Sequence, residues 1–201
     1  MKYLSFLLFL LFINSSLASV ETDTDAPDFE LINSYGDNVS LSNFKGSTVV
    51  LEWTNHDCPF VAKHYKTGNM QSTQKIAKDQ GVIWLTIISS APNTQGYVVP
   101  KKANELTLDR NAEPSHVLFD PEGGVGKMYG AKTTPHMYVI DQKGSLRYQG
   151  AIDDAGGRGF MTRNLLEADN HVKNALNEIF QGKDVTTRVS KPYGCSVKYK
   201  S

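Results

Sequence analysis

Short apolar runs separated by turn residues are the dominant pattern of the chain after residue 28. The runs at 29–32 and 39–41 flank a turn at 35–38 rich in Gly, Asp and Asn, which predicts a β-hairpin. Runs of β-branched and apolar residues at 48–54 and at 82–88 predict two buried strands. A run at 116–119 predicts another strand, and the runs at 137–140 and 145–148 around the turn at 141–144 predict a second hairpin.

Helical patterns fill the intervals between these strands. Pro59 begins a helical stretch that reaches about Gln80 with an interruption at 67–69, and further helices are predicted at 101–108 and just before Tyr129. The last helix ends at Gly182 and has one apolar face, formed by Ala168, Val172, Ala175, Leu176, Ile179 and Phe180. Strands alternating with helices predict an α/β fold, with a central mixed sheet covered on both faces.

Residues 1–18 have the layout of a secretory signal peptide. Lys2 precedes an apolar run at 3–13, and Ser16 and Ala18 stand at the −3 and −1 positions of a cleavage site. The run is shorter than the roughly 20 residues that a membrane-spanning helix needs. We therefore expect a cleaved signal, no stable membrane insertion afterwards, and a periplasmic or secreted protein with one domain at 19–182 and a tail at 183–201.

Composition excludes several classes of protein. The 201 residues contain 21 Lys and Arg against 21 Asp and Glu, so no electrostatic footprint for nucleic acid is present. Two cysteines are too few for a disulfide scaffold or a zinc site made of cysteines alone. They are enough for one disulfide or one redox pair, and export would place them where thiols oxidise.

Cys58 has the position of a reactive cysteine. It follows the buried strand at 48–54 and directly precedes Pro59, so it is expected at the N-terminus of a helix. Unpaired backbone N–H groups and the helix dipole stabilise a thiolate there, which lowers the pKa of the thiol and makes the sulfur nucleophilic.

The segment 53–61, Trp-Thr-Asn-His-Asp-Cys-Pro-Phe-Val, and the segment 133–135, Thr-Thr-Pro, resemble the thioredoxin-like superfamily. More narrowly, the chain is similar to exported redoxins and peroxiredoxin-like proteins of the alkyl hydroperoxide reductase and thiol-specific antioxidant type. The resemblance covers about residues 26–182 and extends to the tail around Cys195. It implies a reactive Cys58 at the first core helix, faced by a cis Pro135 after Thr134. The residues expected to support Cys58 or its substrate are Trp53, Thr54, Asn55 and Pro59.

The sequence also departs from the patterns of its relatives. Val61 stands where thioredoxins carry a second cysteine, so Cys58 has no local partner. Leu51 and Asn55 replace the Pro and Thr of the peroxiredoxin pattern Pro-x-x-x-Thr-x-x-Cys, although Thr54 is one residue away. The arginine that stabilises the thiolate in peroxiredoxins has two candidates here, which are Arg110 and Arg147.

Cys195 is the one thiol that could resolve an oxidised Cys58. In the proposed cycle the Cys58 thiolate attacks a peroxide or a protein disulfide and becomes a sulfenic acid or a mixed disulfide. Cys195, from the same or a partner chain, then forms a disulfide with Cys58, which an external thiol reductant reopens. The protein is thus predicted to be an exported thiol oxidoreductase that needs no cofactor and has antioxidant activity.

Two alternatives remain open from the sequence. Copper-delivery proteins of the thioredoxin fold bind soft metals with cysteine and histidine, and His56, Cys58 and His136 form a possible Cu(I) set. The other alternative is a non-catalytic domain that a permanent disulfide between Cys58 and Cys195 holds together. In the chain-entropy model, closing so long a loop stabilises the fold by about 4–5 kcal/mol.

Overall fold

One mixed sheet of seven strands organises the molecule, described here from a computed structural model covering residues 20–156, 165 and 167–200. The predicted signal peptide at 1–18 lies outside these residues. The strands are β1 (Glu30–Asn33), β2 (Asn38–Ser40), β3 (Val49–Trp53), β4 (Ile83–Ile88), β5 (His116–Phe119), β6 (Thr133–Thr134), β7 (His136–Ile140), β8 (Leu146–Gly150) and β9 (Cys195–Ser196). The helices are α1 (Pro59–Lys66), α2 (Asn69–Asp79), α3 (Pro100–Asp109), α4 (Gly124–Tyr129) and α5 (His171–Phe180).

The sheet has the strand order β2-β1-β5-β4-β3-β7-β8. Strands β3, β4 and β5 run parallel, because helices α1 and α2 return the chain from β3 to β4 and α3 returns it from β4 to β5. Strands β1 and β7 join this parallel core from opposite sides as antiparallel neighbours, each as part of a hairpin. Both predicted hairpins and the mixed sheet are therefore confirmed.

The two faces of the sheet carry separate cores, because side chains alternate along a strand. On β3, Leu51 and Trp53 pack on one face together with Tyr138 of β7. Val50 points to the other face, where it joins a core that includes Cys58 and Leu176. The second core is covered by α1, α2 and α5, so Cys58 belongs to the helical layer on that face.

Helix boundaries follow local signals. Cys58 is the N-cap of α1 with Pro59 as the first helical residue, as the sequence predicts. The predicted interruption of the long helical stretch is confirmed at Gly68, whose positive φ of +76° separates α1 from α2. Ala168 was expected on the last helix but precedes it, because Asn170 caps α5 by accepting a hydrogen bond from the Lys173 N–H.

The tail lies along the carboxyl ends of the central strands. Its short strand β9 pairs antiparallel with β6, which places Cys195 opposite Thr134. Farther along, the Val197 N–H donates to the Lys132 carbonyl, and the Tyr199 hydroxyl donates to the Ala131 carbonyl at 2.7 Å. The tail is thus bound to the domain after Cys195 as well as at Cys195 itself. Within the described part of the chain, no helix is long and apolar enough to cross a membrane.

Candidate active site

Cys58 follows the turn after β3 as the N-cap of α1, and its side chain is fully buried. Its backbone N–H donates to the Asn55 carbonyl at 3.1 Å, and its carbonyl accepts the Ala62 N–H at 2.9 Å. The sulfur lies 3.1 Å from the Thr134 carbonyl oxygen, to which the thiol donates. The first turn of α1 and the strand β6 therefore fix the sulfur from two directions.

Cys195 lies against Cys58. The pairing of β9 with β6 sets Cys195 opposite Thr134, and its thiol donates a hydrogen bond to the Cys58 sulfur. Both cysteines are free thiols, Cys58 buried and Cys195 partly exposed. The sequence left open whether the two thiols meet within one chain, and here they meet in the same chain.

The environment makes the two thiols unequal. Burial acts to raise the pKa of Cys58. Hydrogen bonds to its sulfur outweigh this effect, so the pKa falls below the ordinary value of 9.0. The donors are the Cys195 thiol, the backbone N–H groups of Val61 and Cys195, and the Thr134 side chain. Burial, together with the hydrogen bond to Cys58 and its charge, raises the pKa of Cys195 to about 11. Cys58 is thus the more acidic thiol of the pair, and Cys195 the less acidic one.

The close approach of the tail requires glycine before Cys195. Gly194 has a φ of +139°, and a Cβ built on it would lie 2.0 Å from the Thr134 carbonyl oxygen. The peptide bond between Thr134 and Pro135 is cis, as the resemblance implied.

Two of the expected supporting residues lie away from the sulfur. Trp53 is fully buried in the core on the other face of the sheet, where its indole N–H donates to the Ser89 hydroxyl at 3.0 Å. The alternation of β3 turns it to that face, away from the core that contains Cys58. Thr54 is buried beside a cavity of about 30 Å³ that His56 and Arg110 also line. Its hydroxyl has no hydrogen-bond partner among the described residues.

The other two support the turn that carries Cys58. The Asn55 side-chain carbonyl accepts the Asp57 N–H at 2.9 Å, and its amide donates to the Gln95 carbonyl at 3.2 Å. Asn55 therefore connects the turn before Cys58 to the loop before α3, which is a structural use of the residue that replaces the peroxiredoxin threonine. Pro59 occupies the first position of α1, where no N–H is needed.

Neither candidate arginine hydrogen-bonds to the Cys58 sulfur. Arg147 lies on β8 and pairs with Asp184 at 2.8 Å and with Asp23 at 3.4 Å. The Arg110 guanidinium stands 5.0 Å from the centre of the Tyr65 ring. The pKa of Cys58 is therefore lowered by hydrogen-bond donors rather than by an arginine contact.

The structure does not assemble the alternative copper set. His136 belongs to the same face of β7 as Tyr138, and its Nδ1 accepts the Lys132 N–H at 3.2 Å. The β7 residues that pack in the core with Cys58 are Met137, the neighbour of His136, and Val139. Burial, with a smaller effect from Lys132, lowers the pKa of His136 to about 3. In the part of the chain that the structure describes, no group of three His, Cys, Asp or Glu could hold a metal ion.

Glu52 is a buried charged residue that the sequence analysis missed. This carboxyl is fully buried in β3 and accepts hydrogen bonds from the Trp84 indole at 2.8 Å, the Tyr65 hydroxyl at 3.0 Å and the Thr86 hydroxyl at 3.1 Å. Burial raises its pKa despite these donors. The signal that could have revealed it is a charged residue inside an otherwise apolar strand.

The fold and the site together define a class of protein, a redoxin with a buried cysteine at the start of its first helix and a second cysteine beside it. A family model described as the AhpC/TSA family matches residues 22–149, and the chain belongs to this family. No curated protein matches the chain.

Solved structures share the fold. A hypothetical protein from Sinorhizobium meliloti is 24% identical, with a TM-score of 0.77 over 92% of this chain and 97% of that chain. An uncharacterized conserved protein from Geobacillus kaustophilus is also 24% identical, with a TM-score of 0.76 over 90% and 93%. A candidate thiol:disulfide interchange protein DsbE from Chlorobium tepidum is 27% identical, with a TM-score of 0.53 over 65% and 85%. The predicted thioredoxin-like fold is thereby confirmed.

Proposed function

We propose that the protein is an exported thiol oxidoreductase in which Cys58 is the nucleophile and Cys195 of the same chain is the resolving thiol. The observation that carries this proposal is the unequal pair, in which hydrogen bonds lower the pKa of Cys58 while that of Cys195 is raised to about 11. A low pKa favours the attacking thiolate at neutral pH. Membership of the AhpC/TSA family supports the same chemistry.

With a hydroperoxide as substrate, the Cys58 thiolate attacks one peroxide oxygen. An S–O bond forms and the O–O bond breaks, which gives the Cys58 sulfenic acid and an alkoxide or hydroxide that takes up a proton. The Cys195 sulfur then attacks the Cys58 sulfur, and its proton leaves with the displaced hydroxide as water. An external dithiol reduces the resulting disulfide and is itself oxidised.

With a protein disulfide as substrate, the Cys58 thiolate displaces one substrate sulfur and forms a mixed disulfide. Cys195 then displaces the second substrate sulfur, which leaves as a thiolate and takes up a proton. The likeness to the candidate interchange protein from Chlorobium tepidum supports this substrate class. Because Cys58 is fully buried beneath the tail, a bulky substrate needs the tail to move aside, whereas a small hydroperoxide needs less space.

The experiment compares wild type with Cys58→Ser and Cys195→Ser. Each reduced protein receives one equivalent of hydrogen peroxide or of a model protein disulfide, and the quenched species are identified by mass spectrometry. We expect an intrachain disulfide in wild type and a trapped sulfenic acid or mixed disulfide on Cys58 in Cys195→Ser. Turnover that survives in Cys58→Ser would refute the proposal. The oxidant that gives the faster reaction identifies the substrate class.

Export is the second part of the proposal and is supported by the signal-like sequence at 1–18. Its test is fractionation of cells that express the full chain, followed by sequencing of the N-terminus. We expect a periplasmic or secreted protein that begins at residue 19. A cytoplasmic protein with an intact N-terminus would contradict this part and leave the cysteine chemistry unaffected.

A further inference from the structure

A buried polar network binds the tail two residues before Cys195. The Tyr193 hydroxyl donates to the Asp153 carboxylate and lies 3.0 Å from Nε2 of His64. The Tyr193 ring packs edge-on against Phe60, with 5.9 Å between ring centres. It also lies over Gly156, where a Cβ would overlap the ring. The fold thus provides hydrogen-bond partners for the Tyr193 hydroxyl and a closely packed space for its ring.

The network is closed by Asn69. Its amide nitrogen lies 2.9 Å from Nδ1 of His64 and 2.9 Å from the second carboxylate oxygen of Asp153. With the amide nitrogen facing Nδ1, that ring nitrogen accepts and Nε2 carries the hydrogen, so His64 donates to the Tyr193 oxygen. Each member therefore has a partner, and the Tyr193 hydroxyl both accepts and donates.

The partners of Tyr193 in the network, His64, Asn69 and Asp153, are strongly buried. The side chains of His64 and Asp153 are each only 1% exposed. Burial lowers the pKa of His64, although Asp153 opposes the shift, so the ring is neutral at neutral pH. Burial and the nearby charge of Asp153 raise the pKa of Tyr193, which keeps its hydroxyl protonated as a donor. Hydrogen bonds to a charged partner in such surroundings are stronger than those between neutral groups.

The position of this network relates it to the cysteine pair. His64 lies on α1, the helix that begins after Cys58, and only Gly194 separates Tyr193 from Cys195. Among the described residues, no backbone–backbone hydrogen bond joins residues 191–194 to the rest of the domain, whereas the Tyr193 side chain contacts His64 and Asp153. The network therefore connects the helix of the nucleophile directly to the strand of the second thiol.

We propose that Tyr193, held by His64 and Asp153, is a positioning residue that keeps Cys195 against Cys58. This inference rests on the proposed function, because it assigns Tyr193 to the step in which Cys195 closes the disulfide. Holding two reacting groups in place raises their effective concentration. Losing the hydroxyl would leave the Cys195 segment free to move relative to α1.

The test is the Tyr193→Phe substitution, which removes the hydroxyl and retains the ring. The proteins are equilibrated in buffers of reduced and oxidised glutathione, and the fraction with a disulfide between Cys58 and Cys195 gives the effective concentration of the two thiols. We expect Tyr193→Phe to lower it about tenfold, as the loss of one hydrogen bond to a charged group implies. A value within twofold of wild type would overturn the inference.

Tyr199→Phe is the matched control, because it removes a tyrosine hydroxyl from the same tail on the other side of Cys195. The chain between Cys195 and Tyr199 is already held by backbone hydrogen bonds of Val197 and Lys198. We therefore expect less than a twofold change in this variant. An equal loss in both variants would indicate general loosening of the tail and would refute a specific role of Tyr193.

A double-mutant cycle separates positioning from general destabilisation. If Asp153→Asn and Tyr193→Phe act through the same contact, the double variant has about the same effective concentration as Tyr193→Phe alone. Additive losses would contradict the inference. The glutathione equilibrium needs no turnover with peroxide or protein disulfide. If the proposed function fails, turnover is absent but Tyr193→Phe still lowers the effective concentration of the two thiols. If this inference fails, turnover is normal and Tyr193→Phe leaves that effective concentration unchanged.

Discussion

Replacing Gly194 with alanine tests how closely the tail must approach the active site. A Cβ at this position would lie 2.0 Å from the Thr134 carbonyl oxygen, whereas real contacts of this kind essentially never fall below 3.0 Å. The tail must therefore move by about 1 Å, the difference between these distances, and a misplacement of that size can cost about 100-fold in rate. The φ of +139° adds backbone strain of about 1–3 kcal/mol for a residue with a Cβ.

We expect Gly194→Ala to slow disulfide closure between Cys58 and Cys195 about 100-fold and to leave the first oxidation of Cys58 in place. The assay is rapid quenching after one equivalent of oxidant, with mass spectrometry of the sulfenic acid and the disulfide. Gly182→Ala is the matched control, because Gly182 also has a positive φ of +67° but open space around it. Closure of Gly194→Ala within about threefold of wild type would refute the reasoning.

Three further predictions concern the site and the core. Cys195→Ala removes a hydrogen-bond donor from the Cys58 sulfur, so the pKa of Cys58 should rise; titration of the thiolate ultraviolet absorbance measures it, and an unchanged titration would contradict the assigned cause. Burial raises the pKa of Glu52 above its ordinary 4.5, so the native state binds the carboxyl proton of Glu52 more tightly than the unfolded chain does. The stability that this proton gives the native state is lost as the pH rises above 4.5. Glu52→Gln should therefore gain stability relative to wild type as the pH rises above 4.5 in urea unfolding, and parallel pH profiles of the two proteins would count against this. Leu176→Ala leaves a cavity at a fully buried position of α5 and should lower the free energy of unfolding in urea by about 2–5 kcal/mol, without altering closure of the disulfide. A decrease below about 1 kcal/mol would contradict this, because it would show that the surrounding side chains fill the cavity.

Local sequence patterns predicted the elements that carry the nucleophile. Apolar runs of strand length gave β3 and β4, and Pro59 marked the start of α1, so Cys58 was correctly expected at a helix N-terminus. These predictions succeed because strand burial and helix capping depend on residues close together in the chain. The missed Glu52 shows the limit of the same method, since its donors come from α1 and from the neighbouring strand β4.

Distant contacts decided the rest of the site. The sequence offered His136 as a copper ligand together with Cys58, but the alternation of β7 turns the His136 side chain to the opposite face of the sheet. Trp53 is displaced from Cys58 for the same reason. Alternation along a strand shows which residues share a face of the sheet. The sequence of a single strand does not show which helices pack on each face, and therefore does not show which of its side chains face Cys58.

The two cysteines illustrate the division between sequence and structure. The sequence by itself determined that Cys58 follows a buried strand and directly precedes a helix, and that Cys195 is the second thiol of the chain. Only the tertiary structure decided that Cys195 reaches Cys58, because this depends on the pairing of β9 with β6 and on the space that Gly194 leaves beside Thr134. Backbone pairing between segments far apart in the chain requires the whole fold to be in place, so no local pattern could predict it.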